Sequence, residues 1–189
     1  MRRTSMNIPN MLTLLRIILT PTIAVVFYLP GKLGHLFAML IFVIAGITDF
    51  IDGYLARHWR SETKFGSFLD PVADKLVISV ALILITAEIG HAFIALPAAV
   101  IICREITISA LREWMADLGK RSYVAVSYLG KIKTMAQMLS VTLLLYYCPS
   151  DPQAKIFLWV GLTALYLAAG LTILSMYQYL KAAWPDLKA

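Results

Sequence analysis

Thr48-Asp49-Phe50-Ile51-Asp52-Gly53-Tyr54-Leu55-Ala56-Arg57, followed after eight residues by Gly66-Ser67-Phe68-Leu69-Asp70-Pro71-Val72-Ala73-Asp74-Lys75, sets four carboxylates into a chain that is otherwise apolar. Asp49 and Asp52 are three residues apart and Asp70 and Asp74 four apart, so each pair shares one face of a helix. The spacing predicts two helices whose acidic faces meet. Four carboxylates brought together form a cage of hard oxygen ligands. Mg²⁺ and Mn²⁺ prefer that donor set, and one or two ions can share it. With no cation between them the four charges repel each other. Gly53 and Ala56 lie on or beside the acidic face, and Gly66 adds a third small residue. They let a ligand approach the backbone. Arg57 follows Gly53 by four residues and is placed to fork onto a phosphate. Ordinary helix-end charges facing water need no small residues in register with acids.

The surroundings of this stretch point to a membrane. The chain has 189 residues, is 60% hydrophobic and 15% charged, and has a mean hydropathy of +0.76. A soluble domain of this size cannot cover so much apolar surface. The expected fold class is all-α and polytopic, one domain over residues 1–189, with no linker, internal repeat or low-complexity tract to divide it. The net charge of +6 is explained by positive-inside loops and anionic lipid rather than by nucleic acid. Met1 to Thr4 is basic but no small-residue cleavage site follows, which predicts an uncleaved first helix with a cytoplasmic amino terminus. Cys103 and Cys148 fall on opposite sides of the expected topology, so no disulfide is expected.

Taken in order, Asn7 to Arg16 is amphipathic and predicts an interfacial segment before the chain enters the bilayer. Ile17 to Leu29 is only 13 residues, short of the ~20 needed to span. The first helix must therefore begin near Asn10, with Arg16 snorkelling or facing protein. Lys32 to His35 reads as an outer loop, Leu36 to Arg57 as the second helix and His58 to Lys64 as a basic inner loop. The third helix starts between Gly66 and Pro71 and ends near Ile89. There Asp70 is an N-cap with Pro71 at the first helical position, or the helix starts earlier and Pro71 kinks it. Phe93 to Leu118, Lys131 to Cys148 and Ile156 to Leu180 complete six spans. Among 17 Lys and Arg, only Lys32 and Lys155 then face outward. That asymmetry puts both termini and the inner loops in the cytoplasm.

Depth carries the functional argument. In helices two to five the outer portion is apolar, and the charges begin at a similar level in the cytoplasmic part of the bilayer. Charge inside a membrane faces protein or a wet cavity. The helices should thus enclose a polar cavity open to the cytoplasm above a greasy floor. Arg104, Arg112, Lys131 and Lys133 form a basic group beside the acidic cage, which Arg16 joins from the first helix. Arg104 lies within a span and needs a partner. Glu105 is not on its face, which leaves a carboxylate of another helix or an anionic substrate. The sixth helix carries no charge and reads as scaffold or subunit contact.

The pattern Asp49-x2-Asp52-Gly53-x2-Ala56-Arg57-x8-Gly66-x3-Asp70-x3-Asp74 resembles the signature of the CDP-alcohol phosphatidyltransferases at all eight of its fixed positions. Within that family the chain is similar to bacterial members that use sn-glycerol 3-phosphate as acceptor. Asn7-Ile8-Pro9-Asn10 with Leu12-Thr13 and Arg16 carries that likeness, as do Arg104-Glu105, Ser109 to Trp114, Gly119 to Ser122, and Gly130-Lys131-x-Lys133-Thr134-x-x-Gln137. The resemblance implies transfer of a phosphatidyl group from CDP-diacylglycerol to sn-glycerol 3-phosphate, giving phosphatidylglycerophosphate and CMP. It implies two ions, Mg²⁺ or Mn²⁺, on Asp49, Asp52, Asp70 and Asp74, with Asp74 also the general base. It implies CDP binding by Asp52, Gly53, Ala56, Arg57 and Gly66. The acceptor phosphate falls to Arg104, Arg112, Lys131 and Lys133, with Asn10, Thr13, Arg16 and Gln137 as further site residues. It also implies a homodimer in the bacterial inner membrane. The residues alone leave open another acceptor, phosphatidylglycerol or inositol phosphate. A divalent-cation carrier is a more remote reading, since it needs a polar path that the apolar outer halves do not supply.

Overall fold

The computed structural model describes residues 8–59, 64–118 and 128–187. Those residues form six helices and no strand: α1 (Ile8–Phe27), α2 (Lys32–Trp59), α3 (Lys64–Ile89), α4 (Ala92–Asp117), α5 (Tyr128–Tyr146) and α6 (Lys155–Leu187), with a short 3₁₀ turn at Pro152–Ala154 before α6. In hydrocarbon every backbone polar group must be satisfied within its own segment, which helices achieve. Tight connections join α1 to α2 and α3 to α4. Gly31 and Gly90 take φ of 78° and 68° there, the left-handed region that costs a residue with a side chain most.

Four of the six helices are long and apolar enough to cross a membrane: α1, α2, α4 and α6. α3 and α5 do not meet the same measure. In α3 the acids and Lys75 occupy the first half, and the apolar part of α5 is limited to Ile132–Tyr146.

Several expected boundaries move, each for a visible reason. From Ile8 onward the expected interfacial segment is the first part of α1, and Asn7 lies outside the described residues. Asn10, Thr13 and Arg16 recur every third residue and are buried, so the polar stripe faces protein and not a lipid surface. Lys32 to His35 is the first turn of α2 and not a loop. His35 is buried, packs edge-on to Phe27 at 4.8 Å and reaches the Leu145 carbonyl at 3.3 Å. Pro71 lies inside α3, which begins at Lys64. Asp70 is therefore not a cap, and its carboxylate is free to receive α1.

The end of the bundle bearing these turns is closed by contacts between hairpins. Lys32 pairs with Asp151 at 2.7 Å, and this partner holds the Asp151 carboxyl below the usual carboxylate range. Below that surface all six helices share one core. Phe27, Phe42, Leu82, Ile85, Ile94, Ile101, Leu144, Leu145 and Leu165 are each almost completely buried. α5 approaches α6 closely at Gly161, where an added Cβ would meet the Leu144 side chain at 2.8 Å, and Ser140 donates to the Gly161 carbonyl at 2.8 Å. Cys103 and Cys148 are unpaired thiols.

Candidate active site

The site lies beyond that apolar core. At about 1.5 Å per helical residue, Asp49 is about 25 Å from the start of α2, and Asp74, Glu105 and Lys133 are each about 20 Å from the same end of the bundle. α1 packs on both α2 and α3, which brings its polar stripe against the two acidic faces.

The four carboxylates converge as the spacing predicts, and Arg16 stands between them. Its Nη1 donates to Asp49 at 2.6 Å and to Asp74, and its Nη2 donates to Asp52 at 2.5 Å and lies 3.8 Å from Asp70. Thr13, one turn earlier, donates to Asp70 at 2.5 Å. The Arg16 side chain is 1% exposed and that of Asp52 5%, while Asp49, Asp70 and Asp74 remain nearly half exposed. Asp52 is thus the inner wall of the cage, and the other three acids border open space.

Among the described residues no group of three or more acid, His or Cys side chains is already arranged to hold a metal ion. The cage is closed on a guanidinium. Its chemistry still suits divalent cations. All the converging atoms are hard oxygens, and four carboxylates against one guanidinium leave a formal excess of three negative charges. Asp49, Asp52, Asp70 and Asp74 are the residues that could hold such ions.

Beside the cage is a cavity of about 230 Å³. Asp49, Asp74 and Arg16 form one side of it, and Lys75, Glu105, Lys133, Thr134 and Gln137 form another. Phe42, Ala45, Val77, Ile78 and Met138 supply the apolar remainder. Of the expected acceptor group, Lys133 reaches this cavity and Arg104 and Arg112 are not among its lining residues.

Arg104 does pair with Glu105, at 3.2 Å, contrary to the expectation from helix faces. Neighbours on a helix point about 100° apart, and the long arginine stem spans that angle. Glu105 also accepts from Lys133, so one carboxylate ties α4 to α5. The sixth helix is not mere scaffold. Arg104 donates to Ser175 at 2.9 Å and Arg112 to the Tyr179 hydroxyl at 2.8 Å. Ser175 and Tyr179 are four apart and so share a face of α6. Polar residues at that spacing in a helix with no charge between Lys155 and Lys181 were the available signal for this contact. Lys75 was also missed, and its place beside Asp74 was the signal. It donates to Ser109 at 2.6 Å and to the Pro71 carbonyl at 2.9 Å. Gly53 is half-buried and Gly66 buried. Ala56 and Arg57 belong to α2 and Lys131 to α5, but their side chains lie outside the described residues.

The chain matches the family model of CDP-alcohol phosphatidyltransferases over residues 6–174, and it belongs to that family. Its relatives include the CDP-diacylglycerol–glycerol-3-phosphate 3-phosphatidyltransferases of Sodalis glossinidius (53% identical), Pectobacterium atrosepticum (54%) and Salmonella choleraesuis (52%). Each similarity covers 96% of this chain and 97% of the relative.

Proposed function

We infer that this chain transfers the phosphatidyl group of CDP-diacylglycerol to sn-glycerol 3-phosphate, releasing CMP. The observation that carries the reading is the convergence of Asp49, Asp52, Asp70 and Asp74 beside a cavity that also holds Lys75 and Lys133. Relatives that bear this activity in their names match the chain almost end to end.

In the reaction the acceptor's primary hydroxyl oxygen bonds to the lipid-side phosphorus. The bond from that phosphorus to the bridging oxygen breaks, and CMP leaves with that oxygen. Asp74 lines the cavity, which supports its assignment as the base that takes the hydroxyl proton. Divalent ions on the four acids, when bound, neutralise the pyrophosphate charge. Asp52, Gly53, Ala56, Arg57 and Gly66 are assigned to the CDP moiety, with Arg57 on the nucleotide-side phosphate. The acceptor phosphate is assigned to Lys133 with Arg104, Arg112 and Lys131. One observation supports that assignment: Lys133 lines the cavity.

All six helices are read as membrane spans of one domain, with the site and both termini in the cytoplasm and the protein in the bacterial inner membrane. Asp70, Asp74 and Lys75 of α3 and Lys133 of α5, which lower the hydropathy of these helices, face the site rather than lipid, which supports counting them. The family resemblance further suggests a homodimer. An acceptor panel tests the function. With purified protein, CDP-diacylglycerol and Mg²⁺, CMP release is expected with sn-glycerol 3-phosphate and near background with inositol phosphate or phosphatidylglycerol. Equal rates with either alternative would overturn the acceptor.

A further inference from the structure

We propose that Arg16 is the resident counter-ion of the acidic cage and that divalent cations bind by displacing it, so that cation loading frees a guanidinium into the substrate cavity. The proposal rests on the reading of the four acids as the cation site.

Three observations carry it. The Arg16 guanidinium occupies the point on which all four carboxylates converge, with Nη1 shared by Asp49 and Asp74 and Nη2 by Asp52 and the more distant Asp70. A hard cation needs the same carboxylate oxygens that now accept these N–H groups. A guanidinium and a dication at one point also repel, so the two occupants compete. Second, only the terminal nitrogens hold the Arg16 head. Its Nε is buried with no partner among the described residues, so leaving the acids breaks no other side-chain hydrogen bond among them. Third, Arg16 itself lines the cavity of about 230 Å³ that contains Asp49, Asp74, Lys75 and Lys133. The released head has open space beside it, in a place where an anionic substrate would be bound. Arginine is suited to both states, since its planar fork pairs with carboxylates and with phosphates alike. The arrangement also explains how four carboxylates, three of them nearly half exposed, can be held together before any ion arrives.

The test is Mn²⁺ binding to substrate-free protein in detergent, read from the loss of the free-ion paramagnetic resonance signal, with thermal unfolding in chelator alongside. Arg16→Met keeps much of the stem and removes the competitor. It should bind Mn²⁺ at least tenfold more tightly than the wild type, and in chelator it should unfold at a lower temperature. Mn²⁺ should then raise its unfolding temperature more than it raises that of the wild type. Arg16→Lys keeps one charge without the fork and should fall between the two; it carries the test if Arg16→Met does not fold. Equal or weaker Mn²⁺ binding by the variants would overturn the displacement while leaving the cation site intact. No Mn²⁺ binding by wild type or variants would overturn the cation site itself, and the displacement with it.

Discussion

Arg112 donates to the Tyr179 hydroxyl at 2.8 Å, and its guanidinium carbon lies 5.0 Å from the centre of the same ring. Arg104 lies 5.6 Å from that ring. Tyr179 therefore orients two cations of α4 from a helix with no charge between Lys155 and Lys181. If these cations bind the acceptor phosphate, Tyr179→Phe should raise the apparent KM for glycerol phosphate about tenfold, since a hydrogen bond to a charged group contributes roughly 1.5–3 kcal/mol. Tyr179→Ala also removes the ring and should raise it further. Steady-state kinetics with CDP-diacylglycerol saturating would check this, and an unchanged KM in Tyr179→Ala would count against the role.

Glu105 is the shared acceptor of Arg104 and Lys133. Glu105→Gln leaves two cations without their anion and should cost roughly 1.5–3 kcal/mol of stability, the range for hydrogen bonds to charged groups. Glycerol phosphate brings a replacement anion. It should raise the unfolding temperature of Glu105→Gln more than that of the wild type. Equal ligand-induced shifts would separate the acceptor from this cluster.

Arg112 and Arg57 are assigned to different phosphates. Arg112→Ala should lower kcat/KM for glycerol phosphate by one to two factors of ten, from a charge-assisted contact of roughly 1.5–3 kcal/mol, with a much smaller effect for CDP-diacylglycerol. Arg57→Ala should do the reverse. Losses at Arg112 and Lys131 should be non-additive if both grip one group. Arg112→Ala that is kinetically silent in correctly inserted protein would place the acceptor pocket elsewhere.

Topology is open to direct labelling. Leu118, at the end of α4, and Ser150, before α6, are both exposed. With the native thiols replaced, a cysteine at 118 should react only from the cytoplasmic side and one at 150 only from outside. The opposite pattern would invert the bundle and turn the site away from the cytoplasm.

The acidic faces were legible in the sequence because their chemistry is local. Asp49 with Asp52, and Asp70 with Asp74, are fixed by helical spacing alone, and the apolar outer halves follow from hydropathy. What completes the site depends on packing across long separations. Thr13 meets Asp70 at a separation of 57 residues and Arg104 meets Ser175 at 71, and no local period encodes such pairs. Arg16 was visible as a charge too deep for its helix. That it faces the acids rather than the interface depends on α1 packing between α2 and α3. The start of α3 was ambiguous because Asp-Pro reads equally as a cap or as an interior proline, and α3, which packs on α1, runs from Lys64 through Pro71.

The central claim is that the four converging carboxylates form the cation site through which transfer proceeds. The rate of CMP release by Asp70→Asn in saturating Mg²⁺ tests it most directly. Asp70 accepts from Thr13 and is the carboxylate farthest from Arg16, so its amide should disturb the fold least. The expected result is a fall of several orders of magnitude with normal thermal unfolding, matched by complete loss of wild-type activity in chelator. Near-normal turnover in Asp70→Asn would contradict the account.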